Sequence, residues 1–266
     1  MFIRYLILLT ASILAPLSSA SAQETQRSST CLAIAETLPR VMYANFAVAA
    51  AGEDVTITYA GHSTYVIETP AGIRIATDFS GYYGTNPVPN VVTMNKAHGT
   101  HYTLHPDPSI EHVLHGWGEE GNPAKHSLVV DDVYIRNVTT DIRRFGEAEK
   151  DGNSIFIFEV AGLCIGHLGH LHHPLDNSHY AAIGRLDLVM VPIDGGLTMS
   201  LESMTEITRR LSSSIVLPMH RNATPLSAFT SRMGDAFALD FRNSPSMTVS
   251  IRSLPSRPTV VILQGV

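Results

Sequence analysis

The chain carries thirteen histidines, and eleven of them fall between His98 and His179. Their placement is more informative than their number. His98 and His101 follow the apolar run VVTM; His167 and His170 close LCIGHLGH, with His172 and His173 directly behind; His220 ends SIVLPMH. Each group stands at the end of a run that reads as a β-strand. Loops at strand ends are where a rigid sheet can aim side chains from distant parts of a chain at one point. Imidazole suits zinc, iron, nickel and copper, and three protein ligands with an open position make a catalytic rather than a structural zinc site. The pattern therefore fits a catalytic centre better than a scaffolding one. A serine nucleophile has no G-x-S-x-G motif to sit in. Weaker candidates are the turn Asp194-Gly195-Gly196, whose backbone N–H groups could face a substrate, and Tyr102 and Trp117, which could line a pocket.

The elements that must position these residues are legible from hydrophobic period. Short β-branched runs begin at Val55: VTITY, TYVIET and IRIAT, the last two joined by Pro70-Ala71-Gly72. Further strands are expected at VVTM, SLVV, VYIRNV, SIFIFEV and LCIGHLG. The second half alternates strand and helix. LDLVMVPI is followed by SLESMTEITRRL, in which Leu201, Met204, Ile207 and Leu211 recur at helical spacing, then by the strand SIVLPMH. A last helix is expected over about Leu226 to Leu239, and TVSIRS and TVVIL read as closing strands. Two β-rich halves with helices interleaved late imply two sheets packed face to face and covered by helices.

The N-terminus reads differently. Arg4, the apolar run Tyr5 to Leu17 and the small residues Ala20-Ser21-Ala22 have the form of a cleaved export signal over residues 1–22. Residues 23–54, with CLAIAETLPRVMYANFAVAA, read as a helical arm broken near Pro39, and residues 55–266 as one domain. Without the leader the balance is 17 basic against 24 acidic residues, a formal −7, which speaks against nucleic acid or an anionic membrane as partner. The expected partner is a small-molecule substrate, and the expected location periplasmic or secreted. An exported chain can oxidise its two cysteines, so Cys31 and Cys164 are candidates for one disulfide that pins the arm to the core.

The segment GHSTYVIETPAGIRIATD, Gly61 to Asp78, resembles the opening hairpins of the metallo-β-lactamase superfamily, in particular its lactonase-like branch of small metal-dependent hydrolases. Other landmarks follow in order. Lys96-Ala97-His98-Gly99-Thr100-His101 matches the HxHxDH loop in degenerate form; NSIFIFEVAGLCIGHLGH matches the segment that normally ends in H-x-G-D; VMVPIDGG and SIVLPMH match the late strands. The resemblance covers roughly Val55 to Asn222 and implies an α+β fold, an αββα sandwich of two packed mixed sheets flanked by helices. It also implies a metal-dependent hydrolase of a small ester, lactone, amide or phosphoester. The alternative is a binding protein that keeps the sandwich without the chemistry.

The departures from the family pattern carry their own physics. Lys96 replaces the first loop histidine, Thr100 the loop aspartate, and His170 the aspartate that bridges two metals, while Asp141 stands near another histidine position. A neutral imidazole has one free lone pair and cannot bridge as a carboxylate does. A lysine ammonium about 4 Å from a dication would be repelled by roughly 8 kcal/mol at an effective dielectric of ~20. The expectation is a single divalent ion, zinc ahead of iron or manganese, held by His101, His170 and His220, with His98 as a fourth ligand or a proton carrier. Lys96, paired with Asp141, would replace the lost ion. Lys96, His98 and Asp141 are then the candidate catalytic residues, and His62 and His173 candidates for ligand support or substrate contact. His105, His112, His115, His126 and His179 read as surface residues.

Overall fold

The computed structural model describes residues 29–33, 53–119, 122–144 and 146–266. The expected export signal, and all of the expected arm except its segment around Cys31, lie outside these residues. Among the described residues no helix is long and apolar enough to cross a membrane.

The first half builds a hairpin-rich layer from β1 (Val55–Gly61), β2 (Thr64–Glu68), β3 (Arg74–Ala76), β4 (Val91–Met94) and β5 (His112–His115). The chain then passes through β6 (Ser127–Val130), β7 (Val133–Arg144), β8 (Glu147–Val160), β9 (Leu163–His167), β10 (Leu188–Pro192) and β11 (Ile215–Met219). It ends with β12 (Ala238–Phe241), β13 (Ser246–Val249) and β14 (Thr259–Ile262). Helices α1 (Thr30–Ala33), α2 (Asn177–Ile183), α3 (Leu201–Leu211) and α4 (Leu226–Met233) are the helical elements beside a 3-10 turn at Gly234–Ala236. One sheet has the order β13-β1-β2-β3-β4-β5 and the other β12-β14-β11-β10-β9-β8-β7-β6. Both are mixed: β3, β4 and β5 run parallel, as do β9, β10, β11, β14 and β12, while the hairpins are antiparallel. The expected sandwich of two packed mixed sheets with flanking helices is present.

Strand β8 shows why the layers stack as they do. All of Ser154–Val160 is buried, so its two faces both need cover. Phe156 and Phe158 turn to Ile57, Tyr65 and Ile75 of the opposite sheet, while Ile155 and Ile157 turn to Met204, Ile207 and Phe229 of the helices. Period 2 along one strand thus feeds two cores. On α3, Met204 and Ile207 are buried as their spacing requires, and Ser200 caps the N-terminus by accepting from the Ser203 N–H (3.2 Å).

Several elements depart from expectation. The helix expected to run to Leu239 stops at Met233, because Gly234 adopts φ +59° and ends it; Leu239 lies in β12. Strand β5, not among the expected strands, is held by parallel pairing to β4 (Val91↔His112). Helix α2 was hidden by its polar face and is started by Asp176, whose carboxylate accepts from the His179 N–H. Strands β7 and β8 continue well past the expected VYIRNV and SIFIFEV to form a long arm, paired out to Arg144↔Glu147, with a register shift between Thr140 and Ile142.

Candidate metal centre

Strands β4, β9, β10 and β11 all end at one rim, and the turn from β1 to β2 lies at the same rim. His62 comes from that turn, His98 and His101 from the loop after β4, His170 from beyond β9, and His220 from directly after β11. The loop imidazoles therefore converge. One nitrogen from each of His62, His98, His101 and His220 lies within 4.8 Å of the other three. His170 packs against this group, its ring centroid 4.7 Å from His101, 4.8 Å from His220 and 5.2 Å from His98.

The hydrogen bonding behind the rings fixes which nitrogen faces inward. His101 Nδ1 donates to Asp78 Oδ2 (2.8 Å) and His220 Nδ1 donates to Asp194 Oδ2 (2.9 Å). A carboxylate only accepts, so each Nδ1 carries the proton and each Nε2 keeps its lone pair. The Nε2 atoms of His62, His101 and His220 are buried and have no hydrogen-bond partner, as are both ring nitrogens of His170. Buried polar atoms are almost always satisfied, so this group of bare imidazole nitrogens facing one point is the feature a metal would complete. In a tetrahedral zinc site Zn–N is about 2.0–2.1 Å, which puts ligand nitrogens roughly 3.4 Å apart, a modest contraction of the group seen here.

Electrostatics agree with that reading. Burial, reinforced by the neighbouring imidazoles, lowers the pKa of His62 to about 3 and of His98 to about 4, and it lowers His170 further. These rings are neutral at pH 7 and can act as lone-pair donors. Burial works to raise the pKa of Asp78 and Asp194, but it is outweighed at Asp78 by His167 and His101 and at Asp194 by its bonds to His220 and Thr198, so both stay ionised.

The backbone is held in rare conformations at these positions. His62 (φ 53°), Asp78 (φ 43°) and His220 (φ 48°) are non-glycine residues with positive φ, a state that clusters at functional sites where surrounding structure over-determines it. The His220 N–H donates to His62 O (2.8 Å), which locks two of these turns together across the sheets. Two asparagines complete the support. Asn95 donates to Asp78 Oδ1 (2.8 Å) and accepts from the Ser154 N–H (2.7 Å), and Asn153 accepts from the His170 N–H (2.7 Å).

The expected residues are thus partly regrouped. His98, His101 and His220 stand together as anticipated. One nitrogen of His62, anticipated as support, lies within the group of four, and His170, anticipated as a ligand, packs against that group. His167 uses both nitrogens structurally, donating from Nε2 to Ser63 O (2.9 Å) and accepting at Nδ1 from the Gly169 N–H (3.1 Å). His173 turns away to Pro174 O and the Asp141 N–H. The expected Lys96–Asp141 pair is absent: Lys96 pairs with Glu149 on the β7–β8 arm, and Asp141 accepts from the Asp151 N–H (3.0 Å). The Asp194 turn also corrects its reading, since the N–H groups of Gly196, Leu197 and Thr198 all point at the Asp194 carboxylate and not at a substrate. Asp78, Asn95 and Asn153 were missed; Asp78 lies two residues beyond β3 and Asn95 directly after β4, where no local pattern marks them.

A cavity of about 360 Å³ opens beside the group, with His98, His170, His172, Arg143, Tyr102 and Leu197 on its wall. Lys96, Asp141 and Trp117 are not on that wall; Trp117 stacks on His115 (4.5 Å) and contacts Tyr102. The cysteines meet as expected: Cys31 and Cys164 form a disulfide, with Cα atoms 6.0 Å apart, that ties α1 to β9.

Among functionally curated proteins no sequence matches the chain. Solved structures do. A Thermotoga maritima protein described as a zinc-dependent hydrolase of the metallo-β-lactamase superfamily is 23% identical, with a TM-score of 0.55 over 79% of this chain and 98% of the other. A Parabacteroides distasonis protein described as a metal-dependent hydrolase is 16% identical (TM-score 0.54; 68% and 89% covered), and an isothiocyanate hydrolase from Delia radicum gut bacteria 11% identical (TM-score 0.51; 67% and 93%). These likenesses show the fold. The profile described as the β-lactamase superfamily domain matches residues 56–220, from the first strand to the last histidine of the centre, and the chain belongs to that family.

Proposed function

We propose that the chain is an exported, metal-dependent hydrolase that acts on a small ester, lactone, amide or phosphoester at a centre holding one divalent ion. The observation that carries this reading is the set of bare, buried Nε2 atoms of His62, His101 and His220, two of them backed by carboxylates. Three such ligands with an open position are the donor set of a catalytic zinc site, and zinc is the proposed ion, ahead of iron or manganese. A bound divalent ion supplies Lewis acidity, lowering the pKa of water from about 15.7 towards about 7 and polarising the scissile oxygen.

The residues of the chain do the rest. Asp78 and Asp194 hold two rings in the tautomer that offers Nε2. His98, whose Nδ1 bonds the Thr100 hydroxyl (2.8 Å), is the exposed member of the group and stands on the cavity wall, where a proton can pass to solvent. His170 faces the same cavity with two unpartnered nitrogens and positions the group that enters. The substrate range follows the resemblance to lactonase-like hydrolases, and export is supported by the Cys31–Cys164 bridge, since disulfides persist in oxidising compartments.

Elemental analysis of protein purified without chelator tests the reading. About one divalent ion per chain is expected, with occupancy lost in His101→Ala and His220→Ala and with metal-dependent turnover across p-nitrophenyl esters, lactones and phosphoesters. No ion after supplementation would favour the non-catalytic binding protein.

A further inference from the structure

The cavity wall carries no aspartate or glutamate, although the chain as a whole has a formal net charge of −6. Its one formally charged side chain is Arg143, on β7 two residues beyond the bulge at Asp141. Bulges beside active sites commonly re-aim a side chain. Three cations elsewhere are engaged by carboxylates, Lys96 with Glu149, Arg136 with Glu159 and Arg185 with Asp187, and none of the three lies on this wall. The Arg143 side chain makes neither a hydrogen bond nor an ion pair among the described residues, yet it lies close enough to His172 for its charge to add to the lowering that burial imposes on that ring. An exposed, unpaired guanidinium on a wall shared with neutral imidazoles, with Tyr102 and Leu197 beside it, is a receptor for one planar or tetrahedral oxyanion.

We infer that Arg143 anchors a substrate oxyanion, a carboxylate or a phosphate, on the compound whose scissile group meets the imidazole cluster. This rests on the hydrolase reading above for what happens to the compound, but not for the anion site itself. A cavity of about 360 Å³ suits a metabolite-sized acid, with Tyr102 and Leu197 flanking the stem between the anchor and the reacting bond. Arg143 is then a specificity-determining residue, and the β7–β8 arm that carries it is part of the binding site.

The test uses the full chain, metal-loaded and metal-free, titrated calorimetrically with benzoate, inorganic phosphate and neutral benzamide. Arg143→Ala is expected to weaken benzoate, phosphate or both at least tenfold in either metal state while leaving benzamide and metal content unchanged. Arg242→Ala, which removes a surface cation remote in sequence from the arm, is expected to change nothing. Preference for benzoate over phosphate, or the reverse, identifies the anion, and Arg143→Lys should retain phosphate better than carboxylate because it loses the planar fork. Equal affinity in wild type and Arg143→Ala, or no anion binding to either, overturns the inference whatever the metal content. Loss of anion binding in Arg143→Ala from a protein that takes up no metal would sustain the anchor and remove the hydrolase reading. In turnover, mono-p-nitrophenyl succinate should be favoured over p-nitrophenyl butyrate through KM, and Arg143→Ala should abolish that preference.

Discussion

Asp78 and Asp194 each accept a hydrogen bond from the Nδ1 of an imidazole in the cluster, so their effect on any ion is exerted through ring orientation and basicity. Replacing such outer partners typically weakens metal binding 10–100-fold. Asp78→Asn and Asp194→Asn are accordingly expected to lower divalent-ion affinity by about that factor, read by competition with a chromogenic chelator. An asparagine oxygen can replace only one of the two accepting oxygens, the other side meeting a donor with a donor, so circular dichroism and a thermal melt on each variant separate lost affinity from lost fold. An unchanged affinity in both would show that the carboxylates serve packing alone. At this scale the sequence announced the histidines but not their partners. Clustering at strand ends singled out His98, His101, His170 and His220, whereas His62 was reached only through the resemblance; one of its nitrogens lies within the group formed with His98, His101 and His220, and His170 packs against that group. Asp78 was unreadable because nothing in one chain says which of its aspartates lies 23 positions from the ring it serves.

At the scale of elements, the turn that delivers His170 is the most tightly constrained. Gly169 has φ +63°, and a Cβ there would meet Asn153 Oδ1 and Asn95 Nδ2 at 2.4 Å each. Gly169→Ala would strain the backbone and disturb both asparagines, and is expected to destabilise the protein by roughly 2–4 kcal/mol. Chemical denaturation should show a lower midpoint with an unchanged slope. Wild-type stability would mean that the turn can relax. Strands with period 2 and helix α3 with its apolar stripe were legible because packing there obeys local pattern. The distal part of the β7–β8 arm was not. Its residues, TTDIRR of β7 and EAEKDGN of β8, are mostly polar and carry no strand pattern, and they are strands because each backbone pairs with the other (Ile142↔Glu149, Arg143↔Ala148). Pairing between two polar strands leaves almost no signature in hydrophobicity, which is why Arg143 escaped notice as a site residue.

On the scale of the whole molecule, the buried carboxylate of Glu159 joins three separate parts of the chain. It accepts from Arg136 Nε (2.9 Å), from the Thr30 N–H (2.8 Å) and from Ser29 Oγ, while Arg136 also donates to Ala182 O and Ile183 O. Burial alone would raise the Glu159 pKa, but these donors, with Ser29 and Arg136 foremost, hold it below its ordinary value of 4.5. A depressed carboxylate stabilises the fold above its unfolded pKa, and that contribution disappears as pH falls through the folded value. Glu159→Gln leaves Arg136 buried without its counter-charge and should destabilise by about 3–5 kcal/mol at pH 7. The gap to wild type should narrow below about pH 4.5. Thermal melts across pH 3–8 would show this, and a gap independent of pH would refute it.

The imidazoles of the cluster belong to two layers: His62, His98 and His101 hang from the six-stranded sheet, His170 and His220 from the eight-stranded one. An ion among them would work as a clasp on the open edge of the sandwich, joining leaves that are otherwise held at that edge by a few contacts such as His220 N–H to His62 O. Stripping the ion should then unfasten the edge without dissolving the spine. Ligand linkage gives a loss of about 4 kcal/mol when the ion had been present at a thousand times its dissociation constant. Amide exchange should quicken around residues 62, 98–101 and 220 on chelation and stay slow in the centre of β8 and β10; uniform acceleration along those strands would mean the two leaves were never pinned there.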